Sequence, residues 1–201
     1  MNEKYFDELL NVHTEASKSD VNNSVYYHPY EPTPYEALEY LFQHYRMNAN
    51  DHVVDFGCGK GRLNFYIDHQ IGCPVTGIEM NRNFYQDAIE NKKSYLKKKR
   101  KKTDSIQFLC CKAEEYNIKE QDNRFYFFNP FTIPIFMKVV HNILLSFENN
   151  NREIDLILYY ASDDYRYFLE FQTPFECINE ISLPGIYDKN TYERFLIYRA
   201  K

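Results

Sequence analysis

The chain is predicted to fold as a doubly wound α/β domain, a mostly parallel sheet of seven strands with an antiparallel strand at the C-terminal end. Three observations predict it. Strand-like and helix-like segments alternate through the middle of the 201 residues. The apolar run Val53-Val54-Asp55-Phe56 ends in Gly57-Cys58-Gly59-Lys60-Gly61 and passes straight into a helical pattern. A second strand-like run, Pro74 to Ile78, ends in Glu79, about twenty residues past the glycine turn, where a nucleotide-binding βαβ unit presents a carboxylate to ribose hydroxyls.

Each element has a local reason. Residues 1–29 read as an N-terminal extension and residues 30–201 as a single domain. Thr33-Pro34-Tyr35-Glu36 has the makings of a helix start, with threonine able to cap, proline suited to the first turn and glutamate three residues past the cap. The helix should run over residues 34–46, with Ala37, Leu38, Leu41 and Phe42 on one face. After the glycine turn come a helix over 62–69, the strand ending in Glu79, a long helix over 84–102, and strands over 105–110 and 125–128. A helix over 135–147 and a strand over 154–160 follow. Residues 175–183 and 195–199 read as two strands joined at Pro184-Gly185 without a full helix between them, which is hairpin behaviour.

A strand ending in three alternating glycines offers backbone N–H groups and a helix N-terminus to a charged ligand, with no side chain in the way. A dinucleotide fingerprint would place its third glycine at Arg62, so a nicotinamide oxidoreductase is disfavoured. The string Asp55 to Gly61 resembles the first motif of the class I S-adenosylmethionine-dependent methyltransferases, and the strand pattern over residues 30–199 resembles their fold. The resemblance implies S-adenosylmethionine as cofactor. Asp55, Gly57, Gly59 and Gly61 would shape the methionine end, and Glu79 would bind the ribose. In Cys111-Lys112-Ala113-Glu114 the family's adenine-binding acid is replaced by Lys112, so the adenine contact falls either to Glu114 or to the backbone of Ala113. Upstream, Tyr30 to Tyr35 resembles a segment that approaches the methionine end in several families of this fold, including lysine methyltransferases related to Dot1. Tyr30 and Thr33 could take that role here, although Thr33 is equally well explained as a helix cap.

Asn129-Pro130-Phe131 follows the fourth strand, at the sheet edge where ligands bind in a doubly wound fold. It resembles the Asn-Pro-Pro-Tyr/Phe motif of amino methyltransferases, with one proline where that motif has two. A planar amino nitrogen is a poor nucleophile because its lone pair is delocalised. The Asn129 oxygen and a backbone carbonyl fixed by Pro130 can accept its two N–H bonds, and Phe131 would stack on the planar substrate. The expected activity is methyl transfer to a planar amino or other nitrogen acceptor, in a nucleic acid or elsewhere. The alternatives are a protein lysine or glutamine methyltransferase and a non-catalytic S-adenosylmethionine-binding module.

Composition narrows the rest. Aromatic residues make up 17%, with nineteen Tyr, sixteen Phe and no Trp, a general bias that weakens any reading of aromatic clusters as base-stacking platforms. No apolar run approaches the ~20 residues of a membrane span and no signal peptide is evident, so a cytoplasmic protein is expected. The five cysteines and six histidines lack ligand spacing, which predicts buried free thiols and no metal site. Between Lys92 and Lys102 eight of eleven residues are basic, either an electrostatic anchor for nucleic acid or a solvated helix end that complements the helix dipole.

Overall fold

The computed structural model describes residues 3–16, 26–99 and 105–200. The elements are α1 (Glu3–Leu10), α2 (Tyr35–His44), β1 (Val53–Phe56), α3 (Arg62–Gln70), β2 (Val75–Glu79), α4 (Arg82–Lys99), β3 (Ile106–Cys110), β4 (Arg124–Phe128), α5 (Ile133–Asn149), β5 (Asp155–Tyr159), α6 (Asp163–Gln172), β6 (Phe175–Ser182) and β7 (Arg194–Ala200). They form one seven-stranded sheet in the order β3-β2-β1-β4-β5-β7-β6. Strands β1 to β5 pair in parallel, and β7 runs antiparallel between β5 and β6. The doubly wound fold with an antiparallel C-terminal strand is therefore as predicted, including the hairpin β6–β7. Its connection is longer than a Pro-Gly turn and spans residues 183–193.

The central strands are buried on both faces, so they are apolar nearly throughout. On one face Val54, Phe125, Phe127, Leu156 and Leu158 meet α5 and α6. On the other, Tyr126, Ile157 and Tyr159 meet α1 to α4 through Phe6, Leu38, Phe65 and Tyr95. The order reverses at β1/β4, which opens a crevice beyond the carboxyl ends of those strands.

Two helices have no counterpart in the sequence reading. α6 follows Ser162, whose hydroxyl accepts from the Tyr165 N–H, with Asp163 and Asp164 in the first turn; that start was legible, but the aromatic run behind it hid the helical period. α1 lies in the segment assigned to an extension, and its Phe6 and Leu10 enter the core beside Val12. The helix start at Thr33 also differs from expectation. α2 begins after Pro34 with no side-chain cap of its own, and the Tyr35 N–H donates instead to Glu3 of α1 at 3.0 Å. Thr33 is turned inward, where its hydroxyl bonds the Tyr126 phenol at 2.7 Å, because burial against β4 needs a polar partner for both groups.

The cysteines are free, but only Cys58 and Cys73 are buried; Cys110 and Cys177 are exposed, since β3 and β6 are the sheet's edges. Of the basic run, Lys92 bonds the Ile106 carbonyl, Lys98 bonds the Glu8 carbonyl at 2.8 Å and Lys99 pairs with Asp68. These lysines lie at the amino-terminal edge of the sheet, opposite the crevice, and residues 100–102 fall outside the described residues.

Candidate cofactor and acceptor site

The glycine turn leaves β1 with Gly57, Gly59 and Gly61 all at positive φ. At all three close approach also requires glycine. A Cβ on Gly57 would lie 2.6 Å from Pro130 Cβ, and one on Gly59 would lie 2.5 Å from Tyr30 Cδ2 and closer still to Cε2. One on Gly61 would lie 2.6 Å from Phe108 Cζ. The first contact joins the glycine turn to the Asn-Pro segment, and the second joins it to the segment before α2. The loop's N–H groups are not bare, as the sequence had suggested. Those of Gly57 and Cys58 bond the Ile78 carbonyl, that of Gly61 bonds the Cys58 carbonyl, and that of Gly59 bonds Glu79 Oε2 at 3.0 Å. The turn folds back on β2, which takes up three of these donors, and the Gly61 N–H closes within the turn itself.

Asp55 and Glu79 stand at the ends of β1 and β2, both buried. Burial and the neighbouring Glu79 charge raise the Asp55 pKa from 3.8 to about 8. Burial also raises that of Glu79, against the N–H bonds of Asn81 and Gly59. Burial penalises the charged form of both groups, so a cation or a hydroxyl donor placed beside them would be favoured.

A strap, residues 26–31, crosses the crevice. Tyr27 forms an isolated bridge with Phe131, the Thr132 N–H donates to the Tyr26 carbonyl, and the His28 N–H donates to the Pro130 carbonyl at 3.0 Å. The His28 ring meets the Asn129 carbonyl through Nδ1 at 2.6 Å. Tyr27 donates to Glu114 Oε2 at 2.9 Å and accepts from the Ala113 N–H at 3.3 Å. Tyr30 covers Gly59, donates to the Thr14 carbonyl at 2.6 Å and packs 5.0 Å from Phe84. The cavity left between the strap, Gly57, Glu79 and Phe128 is about 50 Å³, well below the ~300 Å³ at which small-molecule sites begin. A nucleoside cofactor fits the donor set of this crevice, and the strap must shift to admit it. Lys112 is turned out to Glu115 at 3.0 Å, whereas the half-buried Glu114 meets the strap through the Tyr27 phenol.

On the other side of the crevice stands Asn129, in the left-handed region at φ 40°. Its side-chain oxygen is buried and has no hydrogen-bond partner among the described residues. Phe131 does not face the crevice, contrary to its expected role. It is fully buried, edge-on to Phe127 at 6.2 Å and to Tyr27 at 5.5 Å, and its carbonyl accepts from the Tyr165 hydroxyl. With Tyr165 drawing the backbone inward, the ring fills the core between α5 and the sheet. Sequence reasoning also missed Tyr27 and His28, for which the aromatic density of Tyr26-Tyr27-His28-Pro29-Tyr30 was the available signal.

The strand order, with a glycine turn after β1 and an acid ending β2, is that of a class I S-adenosylmethionine-dependent methyltransferase. The chain belongs to a family described as a methyltransferase domain, whose model matches residues 34–157. It is a methyltransferase, and its cofactor is S-adenosylmethionine. Among solved structures it is similar to an RNA methyltransferase from Salinibacter ruber in complex with S-adenosyl-L-homocysteine, with 18% identity, a TM-score of 0.58, and 85% of this chain and 92% of that one covered. It is also similar to an rRNA methylase from Streptococcus thermophilus, at 12% identity and a TM-score of 0.54 over 86% and 97% of the two chains. The [4+2]-cyclase SpnF gives 12% identity and a TM-score of 0.59 over 83% and 82%. No curated protein matches the chain. At these identities the likeness is one of fold, and since that fold also carries a cyclase, acceptor chemistry has to be argued from the site.

Proposed function

We propose that the protein transfers a methyl group to a planar amino nitrogen, with a nucleic-acid base as the first acceptor class to test. The observation that carries this reading is Asn129, a non-glycine residue at φ 40° whose buried side-chain oxygen lacks a donor. An unsatisfied buried acceptor is costly, and it persists where a ligand supplies the missing partner. An amino group placed there donates one N–H to Asn129 Oδ1 and the other to a carbonyl of the same turn. Its lone pair is then directed toward the crevice. Pro130, packed on Gly57, sets that nitrogen against the methionine end of the cofactor site. The motif's similarity to that of the amino methyltransferases supports the same role.

When bound, the cofactor supplies a methyl group on a sulfonium, which is already an activated leaving group. The residues therefore need to align more than to deprotonate. Asp55 faces the cationic methionine end and Glu79 the ribose hydroxyls, with Gly57, Gly59 and Gly61 giving clearance and Tyr30 closing the turn. The Ala113 N–H and Glu114, now joined by the Tyr27 phenol, are the groups that would meet adenine. Thr33 acts through its bond to Tyr126 and holds the segment beneath the strap.

The test is radiolabelled methyl transfer from S-adenosylmethionine into a cell extract fractionated into RNA, DNA, protein and small molecules, comparing wild type with Asn129→Ala. Label in one fraction, lost in the variant while cofactor binding is retained, is the expected result. Equal loss of binding and transfer would make Asn129 a structural residue and sink the proposal.

A further inference from the structure

Resting on the planar-nitrogen reading, the geometry points to Phe128 and Tyr160, in place of Phe131, as the aromatic surface that holds the acceptor, and so to an acceptor whose amino group is carried on an aromatic ring. Phe131 is not available for that contact. Its ring lies at 0% exposure between Phe127 and Tyr27, and its carbonyl is tied to Tyr165. Swinging it into the crevice would empty a phenyl-sized space in the core and break that bond.

Phe128 is the last residue of β4 and, by strand alternation, points to the face opposite Phe127. It lines the crevice beside Gly57 and Pro130. Its register partner on β5 is Tyr159, which sets the residues that follow, Asn129 and Tyr160, side by side at neighbouring strand ends. Tyr160 is left-handed at φ 54°, as Asn129 is at φ 40°. Asparagine tolerates that region and tyrosine does not, so the turn after β5 holds a strained aromatic residue next to the proposed acceptor contact. The half-buried Tyr160 ring lies 6.4 Å from Phe128 and 5.5 Å from Tyr192, and its hydroxyl accepts from Asn190 Nδ2 at 2.8 Å. Phe128, Tyr160 and Tyr192 form a row of rings that begins at the residue before Asn129. A heteroaromatic amine can lay its face on these rings while its in-plane amino group meets Asn129 Oδ1. A lysine or glutamine side chain offers no ring for them.

The chain has no tryptophan, so the fluorescent base analogue 2-aminopurine riboside can be followed directly in the full-length protein saturated with S-adenosylhomocysteine. Saturable quenching is expected with wild type. Tyr160→Leu should weaken it about tenfold or more, the range for loss of one stacked base. Tyr160→Phe should restore it, and S-adenosylhomocysteine affinity, read by calorimetry, should be the same in all three. No saturable quenching with wild type would overturn the aromatic-ring class, even if Asn129-dependent label still appeared in the protein fraction and left the nitrogen reading intact. Quenching by Tyr160→Leu equal to wild type would overturn the role of Tyr160, and failure of Tyr160→Phe to restore binding would make the Asn190 bond the relevant feature. Should Tyr160→Leu not fold, Phe128→Leu is read on the same probe, and an unchanged affinity there overturns the proposal.

Discussion

Replacing Gly59 by alanine tests whether the glycine turn is fixed by the segment that covers it. Two costs are expected. The residue sits at φ 54°, where an L side chain costs about 1–2 kcal/mol. The new methyl would also fall inside the Tyr30 ring, 2.5 Å from Cδ2 and nearer to Cε2, so the ring has to leave. That gives up its bond to the Thr14 carbonyl, about 1 kcal/mol, and its contact with Phe84, about 0.5–1.5 kcal/mol. The total is roughly 3–4 kcal/mol, a large share of the roughly 5–15 kcal/mol that holds a domain together. Gly72 supplies the control, since it too has positive φ, at 79°, but nothing lies within 4 Å of its Cβ position. Gly72→Ala should cost only the conformational part. In a Tyr30→Ala background the cost of Gly59→Ala should fall toward that of Gly72→Ala. Urea unfolding at matched m-values reads all four variants. Equal destabilisation by Gly59→Ala and Gly72→Ala would refute the close approach of Tyr30.

Further outcomes follow from the same geometry. Because the folded pKa of Asp55 is about 8 against 3.8 unfolded, the folded chain keeps a proton that the unfolded chain has lost. Its contribution to stability is full below the unfolded value and declines as pH rises to about 8, by at most roughly 6 kcal/mol. Asp55→Asn should flatten that decline in urea midpoints taken between about pH 5 and pH 8, and a parallel decline in the variant would assign it to other groups. Arg62, almost fully buried, donates to Thr14 Oγ1 at 2.8 Å and to the Thr33 carbonyl, pairs with Glu3 and lies over the Tyr35 ring. Arg62→Ala should cost roughly 3 kcal/mol and speed hydrogen exchange first in α1; uniform exchange would show that the arginine does not hold that helix. Neutralising Lys97, Lys98 and Lys99 to glutamine should leave the salt slope of any RNA binding unchanged, since these residues face away from the crevice and two are engaged with Glu8 and Asp68. A slope lowered by about 0.7 per lysine would restore the anchor.

The elements that the sequence made legible are those whose cause is local. Doubly buried strands read as apolar runs because both faces need apolar side chains, and the glycine turn reads as glycines because positive φ together with close approach at the Cβ position disfavours other residues. Thr33 shows where locality fails. Its surroundings suit a cap, yet a phenol on β4, distant in sequence, is the stronger partner in the buried setting, and Glu3 of another helix takes over the N–H at the start of α2. Phe131 fails for a related reason. Its place after β4 was legible, but the Tyr165 hydroxyl that turns it into the core lies on α6, which the sequence reading did not contain.

By itself the sequence determined the succession of strands and the helices between the parallel ones, the glycine turn after β1, the acid ending β2 and the Asn-Pro segment after β4, hence a methyltransferase fold and its cofactor. These follow from periodicity and from the backbone demands of single residues. Only the tertiary structure decided that Gly57 lies against Pro130, that Tyr27 bridges Ala113 and Glu114, that three of the turn's N–H groups are taken up by β2, and that Asn129 and the strained Tyr160 stand side by side. Each depends on which distant side chain arrives to fill a space or to complete a hydrogen bond, and that is fixed by packing across the whole sheet.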